Sequence, residues 1–313
     1  MLEAPRVVPP LERLLHLKRI PLLAGLPAAE VAVLADAAEE RFFPKGAVVF
    51  REGDPAGSML FVVEGALANF RRGIQVGVVG PGHGIGGLNV LAREGLGSQV
   101  VAEQDTLTLE IDADLIAEVL EDRFPIVQHL LRELNRQTLE LLRRHRLDPS
   151  AVFPEPPREL SAEAGLDLVD RLLLLRRMPV FERSSVTALA ELARTMAQVR
   201  FEAGTILWQE GEPSAGILLV CSGSVRATGS GGVDFRAGPG FPLGALEALG
   251  QVPRWYDAVA LSPVIALQGQ TDVLVDLFED NFEMAMDYLA VVARATLRIL
   301  DWSAAPAAQP LAG

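Results

Sequence analysis

The feature that most restricts this chain is that it repeats itself at a constant offset of 158 residues. Ile20-Pro21-Leu22-Leu23 returns as Met178-Pro179-Val180-Phe181, and Phe43–Gly57 (FPKGAVVFREGDPAG) returns as Phe201–Ala215 (FEAGTILWQEGEPSA). Gly46, Glu52, Gly53 and Pro55 meet Gly204, Glu210, Gly211 and Pro213. Gly65 meets Gly223, and Gly80-Pro81-Gly82 meets Gly238-Pro239-Gly240. The register still holds at Glu121-Asp122 and Phe124, which meet Glu279-Asp280 and Phe282. A period of this length is a whole domain rather than a solenoid repeat, so any fold assigned to one half must also suit the other.

Each unit reads as helix, then strands, then helices. Ala28–Glu39 and Val186–Met196 carry apolar residues at helical spacing. Ala47–Phe50, Ser58–Val63 and Gly73–Val79 are short runs rich in Val and Phe, separated by glycine, as strands and turns require. Closing helices are expected over 112–120 and 124–145, and over 271–278 and 282–302. Many short strands at even spacing predict a mostly β fold with flanking helices: two tandem jelly-roll-like β-barrels, each with N-terminal and C-terminal helices. The proline-rich stretch from Asp148 to Pro157 marks a linker. Domains are therefore expected at 11–147 and 164–302, with a linker at 148–163 and a flexible tail at 303–313. Ser161 is a plausible N-cap for the second unit, with Glu163 in the first turn.

Composition narrows the function. The net charge is −13, from 28 basic and 41 acidic residues, with 16 and 21 of them through Ser150 and 12 and 20 beyond it. Neither half is basic, which speaks against nucleic acid as a partner. The single cysteine, Cys221, excludes an internal disulfide framework and a cysteine-only metal site. No apolar run reaches the roughly 18 residues that a membrane span needs. Met1–Pro10 shows no basic segment followed by an apolar core. A cytoplasmic protein without membrane insertion is the expectation.

The runs IPLLAGLP and PKGAVVFREGDPAGSMLFVVEGAL, with the counterparts MPVFERSS and EAGTILWQEGEPSAGILLVCSGSV, resemble the cyclic-nucleotide-binding domain family. That family includes catabolite-activator-type regulators and protein kinase A regulatory subunits. The resemblance covers residues 11–145 and 168–302. It implies a phosphate-binding cassette of the form F-G-E-L-A-L followed by P-R-A-A-T. In it, a short helix start and the arginine hold the cyclic phosphate, and the glutamate takes the ribose 2′-hydroxyl.

Mapped onto the first copy, the glutamate falls on Gly87, after Gly86, and the arginine on Leu96, near Ser98. Both contacts are lost, so this pocket is degenerate. In the second copy the cassette runs through Leu243, Gly244 and Ala245, then Pro253-Arg254-Trp255-Tyr256-Asp257. Arg254 keeps the arginine position, but the glutamate position is Ala245. Glu247 lies two residues on and is expected to point elsewhere. Trp255 and Tyr256 could fill the sugar-phosphate space, stack on a base or dock a partner, and Asp257 could pair with Arg254. Candidate ligand residues are thus Arg254, Gly244, Trp255, Tyr256, Asp257 and Leu243, with a cyclic nucleotide in the second copy as the one ligand left open.

Other signals are weaker. GHGIGG, within Gly80–Gly87, formally fits a dinucleotide fingerprint, but it lacks the strand–helix context and reads as a turn. His16, His83, His129 and His145 have no metal-ligand spacing. Cys221 sits in a strand as a small core residue. No nucleophile–base arrangement stands out, so no catalytic residue and no enzyme is expected. In helix 124–145, Val127, Leu134 and Leu141 lie seven apart, interrupted by Gln137 and Thr138. This offers a homodimer seam or an interdomain contact. The second closing helix is expected to end near Trp302, and the eleven residues after it are expected to leave no room for a helix-turn-helix domain. The leading expectation is a non-enzymatic regulatory or scaffold protein acting through protein partners. The alternative is a sensor of a cyclic mono- or dinucleotide at Arg254, signalling through the helix at 282–302. A DNA-binding regulator comes third, against the acidic balance.

Overall fold

In a computed structural model of the chain, residues 8–154, 165–181 and 183–304 are described. Contacts divide the chain into two compact units, Met1–Leu130 and Leu131–Gly313. The first unit begins with α1 (Pro10–Leu17) and α2 (Ala28–Ala37). Strands β1 (Glu39–Phe43), β2 (Val48–Phe50), β3 (Ser58–Glu64), β4 (Leu67–Arg71), β5 (Ile74–Val79) and β6 (Gly84–Ile85) follow. The six-residue α3 (Gly87–Ala92) leads to β7 (Gln99–Ala102), β8 (Thr106–Asp112), α4 (Ala113–Asp122) and α5 (Phe124–His145). The division falls inside α5, ahead of the proline-rich segment that marks the boundary in the sequence.

The second unit repeats the order. It runs through α6 (Leu168–Arg176), α7 (Val186–Thr195), β9 (Ala197–Phe201), β10 (Ile206–Trp208), β11 (Gly216–Ser222) and β12 (Val225–Gly229). Then come β13 (Val233–Ala237), β14 (Pro242–Leu243), α8 (Ala245–Gly250), β15 (Asp257–Ala260), β16 (Val264–Gln270), α9 (Thr271–Asp280) and α10 (Phe282–Ala304). Ser161, Glu163 and most of the expected linker lie outside the described residues, as does the tail from residue 305. The described helix start in this region is capped instead by Asp167, which exchanges hydrogen bonds with Asp170 in a capping box.

Each unit carries two antiparallel four-stranded sheets. Their orders are β1-β8-β3-β6 and β2-β7-β4-β5 in the first, and β9-β16-β11-β14 and β10-β15-β12-β13 in the second. The β-rich fold with flanking helices is as expected, but the sheets do not close into barrels. They remain separate four-stranded layers. The duplication reaches single residues. Leu60 pairs with Ile85 and Leu218 with Leu243, and bulges interrupt β3 at Val62/Glu64 and β11 at Val220/Ser222. The hairpin glycines explain one invariant of the repeat. Gly65 and Gly223 have φ of 93° and 85°, and an added Cβ would lie 2.5 Å from the Asp105 carbonyl oxygen or 2.1 Å from that of Pro263. Only glycine meets both demands.

Among the described helices, the residue periodicity locates none of α1, α3, α6 and α8, although the resemblance implies a short helix in each cassette. Two of them, α3 and α8, span six residues each, too few for the 3.6-residue period to register. The long helices match the sequence reading closely. In α5, Val127, Leu130, Leu131, Leu134, Leu139 and Leu142 are all at most 5% exposed. Of the three residues lying seven apart, Val127 and Leu134 are buried and Leu141 is half-buried. Thr138, which breaks the heptad pattern, is buried in the second unit. Its hydroxyl lies 2.6 Å from that of Thr296, its own equivalent in the repeat, and each hydroxyl also lies within reach of the carbonyl four residues back, so that one donates across the pair and the other to its own carbonyl. Close by, the Tyr288 hydroxyl donates to Asn135 Oδ1 at 2.7 Å. Among the described residues, no helix is long and apolar enough to cross a membrane.

The threonine pair makes a testable demand. Thr138→Val or Thr296→Val alone removes the hydrogen bond between the two hydroxyls and should cost about 0.5–1.5 kcal/mol. The double substitution removes both polar groups together, so its cost should fall clearly below the sum of the two. Urea unfolding of the four proteins measures the difference.

Candidate functional site

The site of the second unit is built where β14 ends and α8 begins. Gly244 holds φ 77°, which turns the chain from strand to helix. Ten residues on, Arg254 returns to the same place and is only 7% exposed. Its Nη1 donates to the Gly244 carbonyl at 3.2 Å and its Nη2 to the Gly216 carbonyl at 2.7 Å. Its guanidinium carbon lies 4.1 Å from the centre of the Trp208 ring, a cation–π contact. The fit is close enough that a Cβ at Gly244 would lie 1.9 Å from Nη1. Burial pulls the Arg254 pKa down, opposed mainly by the negative field of Glu247.

Glu247 is the residue that sequence reasoning misplaced. It does not point away. It is 1% exposed, on the first turn of α8, within the electrostatic reach of Arg254 and Tyr256. Burial pushes its carboxyl up to about 7, against the pull of Arg254 and the Tyr256 hydroxyl. Its Oε1 has no hydrogen-bond partner. A buried acid two positions past the expected glutamate carries no periodic signal. Only the six-residue helix, which turns its third residue inward, brings it here.

The aromatic pair fills space. Trp255 and Tyr256 are 4% and 2% exposed and belong to one core cluster with Phe235 and Trp208. Phe235 stacks near Trp255 at 6.3 Å and meets Tyr256 edge-on at 5.2 Å. The Tyr256 hydroxyl accepts from the Gly244 N–H at 3.2 Å. Leu243 is fully buried opposite Leu218. Asp257 does not pair with Arg254. It accepts instead from the Glu210 N–H at 2.7 Å, holding the turn after β10. Of the six sequence candidates, the structure thus gathers Arg254, Gly244, Tyr256, Trp255 and Leu243 and sets Asp257 to one side. Trp208 and Gly216, missed by the sequence reading, complete the arginine's surroundings. Trp208 stands at the repeat position of Phe50, the one signal that pointed to it.

The first unit keeps the backbone and drops the chemistry. Leu96 receives the Gly53 N–H at 2.8 Å and donates to Asp54 at 2.9 Å, as Arg254 does with Gly211 and Glu212 at 2.8 and 2.9 Å. Its side chain is 3% exposed and apolar. Gly86 has φ 86°, and an added Cβ would lie 2.6 Å from the Ser58 carbonyl oxygen. Ser58 is the counterpart of Gly216. Gly87 starts α3, and Ser98 is half-buried in the turn before β7. Asn89, at the place of Glu247, ties to the Gly95 carbonyl at 3.0 Å. The nearby cation is Arg71, whose Nε donates to the Gly97 carbonyl at 3.1 Å, next to Leu96.

Cys221 is 1% exposed and its thiol is pushed up to about 11 by burial, so it is a core residue without thiolate character. Among the described residues, no group of three or more His, Cys, Asp or Glu side chains could hold a metal ion.

Comparison with known proteins gives one consistent match. The family model for the cyclic nucleotide-binding domain fits residues 40–123 and again residues 198–281. The CRP-like cAMP-activated global transcriptional regulator of Mycobacterium tuberculosis is 28% identical over 131 residues, 40% of this chain and 58% of that one. The cyclic AMP receptor protein of Thermus thermophilus is 29% identical over 136 residues, 40% of this chain and 62% of that one. The chain thus spans about three fifths of the length of these relatives. Among solved structures, a co-crystal of the regulatory domain of Toxoplasma gondii PKA with cAMP is 17% identical with a TM-score of 0.34, covering 90% of this chain and 94% of that one.

The raised Glu247 carboxyl predicts a pH signature. Its folded pKa lies above the value of an unfolded glutamate, so the folded state holds the extra proton between about pH 4.5 and 7. Stability from this group is full below that window and is lost as pH rises through it. Glu247→Gln should therefore flatten the fall in unfolding free energy between about pH 4.5 and 7, as measured by urea titrations across pH.

Proposed function

The chain belongs to the cyclic nucleotide-binding domain family, and on that premise we propose that it is a non-enzymatic regulatory protein. Its two domains act through protein partners rather than through a cyclic nucleotide. The observation that carries this reading is the occupied state of Arg254. The one arginine retained at the phosphate position already spends its donors on the Gly244 and Gly216 carbonyls and its face on Trp208. A cyclic phosphate would have to displace those contacts and the packed rings of Trp255 and Tyr256. It would also bring a second negative charge beside Glu247.

In the first domain a buried leucine stands at the position of Arg254, so a phosphate desolvated there would lack that arginine's charged donors. The relatives named as regulators support the regulatory part of the reading. The acidic surface favours protein over nucleic acid as the partner.

A second reading, a sensor of a cyclic mono- or dinucleotide in the second domain, draws on the retention of Pro253-Arg254 itself. Ligand binding would then act through α10 on partner affinity. One experiment separates the two. Calorimetry with cyclic AMP and cyclic GMP should give no saturable heat. Micromolar or tighter binding that is abolished by Arg254→Ala would establish the sensor instead.

A further inference from the structure

The first helix of each unit repeats on its outer face as well as its inner one. Leu11-Glu12-Arg13-Leu14-Leu15 in α1 returns as Val169-Asp170-Arg171-Leu172-Leu173 in α6. Lys18-Arg19, just past α1, returns as Arg176-Arg177 at the end of α6. The central arginine fixes each helix to its own unit. Arg13 Nε donates to the Val8 carbonyl at 3.0 Å and Nη1 to the Ala38 carbonyl at 2.8 Å, and Arg171 does the same with Leu166 at 3.1 Å and Met196 at 2.8 Å. Held this way, each helix turns an apolar pair into solvent. Leu11 and Leu15 are 68% and 50% exposed, and Val169 and Leu173 are 64% and 52% exposed. Side chains four apart share one helix face. Exposed apolar residues scattered singly need no explanation. An outward pair kept at the same two positions in both units, while the pockets have diverged, calls for one.

The stripe on α6 is the larger, because Leu168 adds a third apolar side chain, 38% exposed. Charge along this helix is divided, with Asp167 and Asp170 at its start and Arg176 and Arg177 at its end. Such a helix is complementary to itself reversed. With a second α6 antiparallel across a twofold axis, Val169 meets Leu173 of the other copy, each acidic end meets a basic end, and the helix dipoles oppose. A parallel copy would set acid beside acid and arginine beside arginine. Burying apolar side chains is worth more than exposed ion pairs, so the valine and leucine supply affinity and the charges set direction.

We propose that two copies of the chain associate through α6, antiparallel, with Val169 of one against Leu173 of the other. This contact is independent of whether either pocket binds a nucleotide.

Sedimentation of the full chain across about two decades of concentration tests it. The mass should rise towards twice that of one chain. Leu173→Glu, at an exposed position, should hold it at the single-chain value, while Leu15→Glu, the counterpart change in α1, should leave the rise as it was. Cross-linking reads the direction. A mixture of Val169→Cys and Leu173→Cys chains, oxidised in air, should give a disulfide-linked dimer at several times the yield of either variant alone, and Cys221, 1% exposed, does not compete. A chain that stays monomeric, a dimer that survives Leu173→Glu, a dimer lost instead with Leu15→Glu, or linkage no better in the mixture than in the separate variants each overturns the proposal. If Leu173→Glu does not fold, the cross-linking decides.

Discussion

An arginine taken out of water must recover hydrogen bonds for a planar fork of five N–H donors that cannot give up its charge. In the second unit this need organises the surroundings of α8. The chain has to bring two backbone carbonyls to the guanidinium, which requires the left-handed turn at Gly244 and the close approach of β11 at Gly216. It has to cover the face of the guanidinium, which Trp208 does. It has to place a negative field nearby, which turns Glu247 inward and leaves that carboxyl with a raised pKa. Each of these follows from burying one cation.

The first unit shows the same frame without that demand. Leu96 occupies the arginine's position with nearly identical backbone hydrogen bonds. Its side chain needs only apolar neighbours, so Gly87 and Asn89 can differ freely from their counterparts Ala245 and Glu247. A duplicated scaffold has thus kept its strand register, its bulges and its hairpin glycines, while the polar content of the two pockets has diverged. The conserved part is backbone geometry, and the part that varies is side-chain chemistry on a short helix.

Much of the architecture was legible in the residues. The 158-residue offset carried the duplication, and Val- and Phe-rich runs between glycines carried the strands. The spacing in α5 and α10 located both long helices to within a residue or two. The short helices α3 and α8 were not legible, because six residues are under two turns and show no period. Sheet closure was not legible either, since alternating burial looks the same along an open sheet and a barrel. The polar break at Thr138 read as a flaw in a seam. In the structure it is a buried hydrogen bond to Thr296.

The sequence by itself determined the duplicated fold, the leucine at the arginine position of the first copy and the survival of Arg254 in the second. These depend on which residue stands at which position, and a repeat aligned without gaps reports that directly. Only the tertiary structure decided what Arg254 and Glu247 do. Whether a guanidinium faces a ligand or its own backbone, and whether a carboxyl turns outward or into an aromatic cavity, depends on neighbours distant along the chain. Gly216 and Trp208 reach the arginine from strands 38 and 46 residues away, and no local pattern in the sequence encodes that meeting.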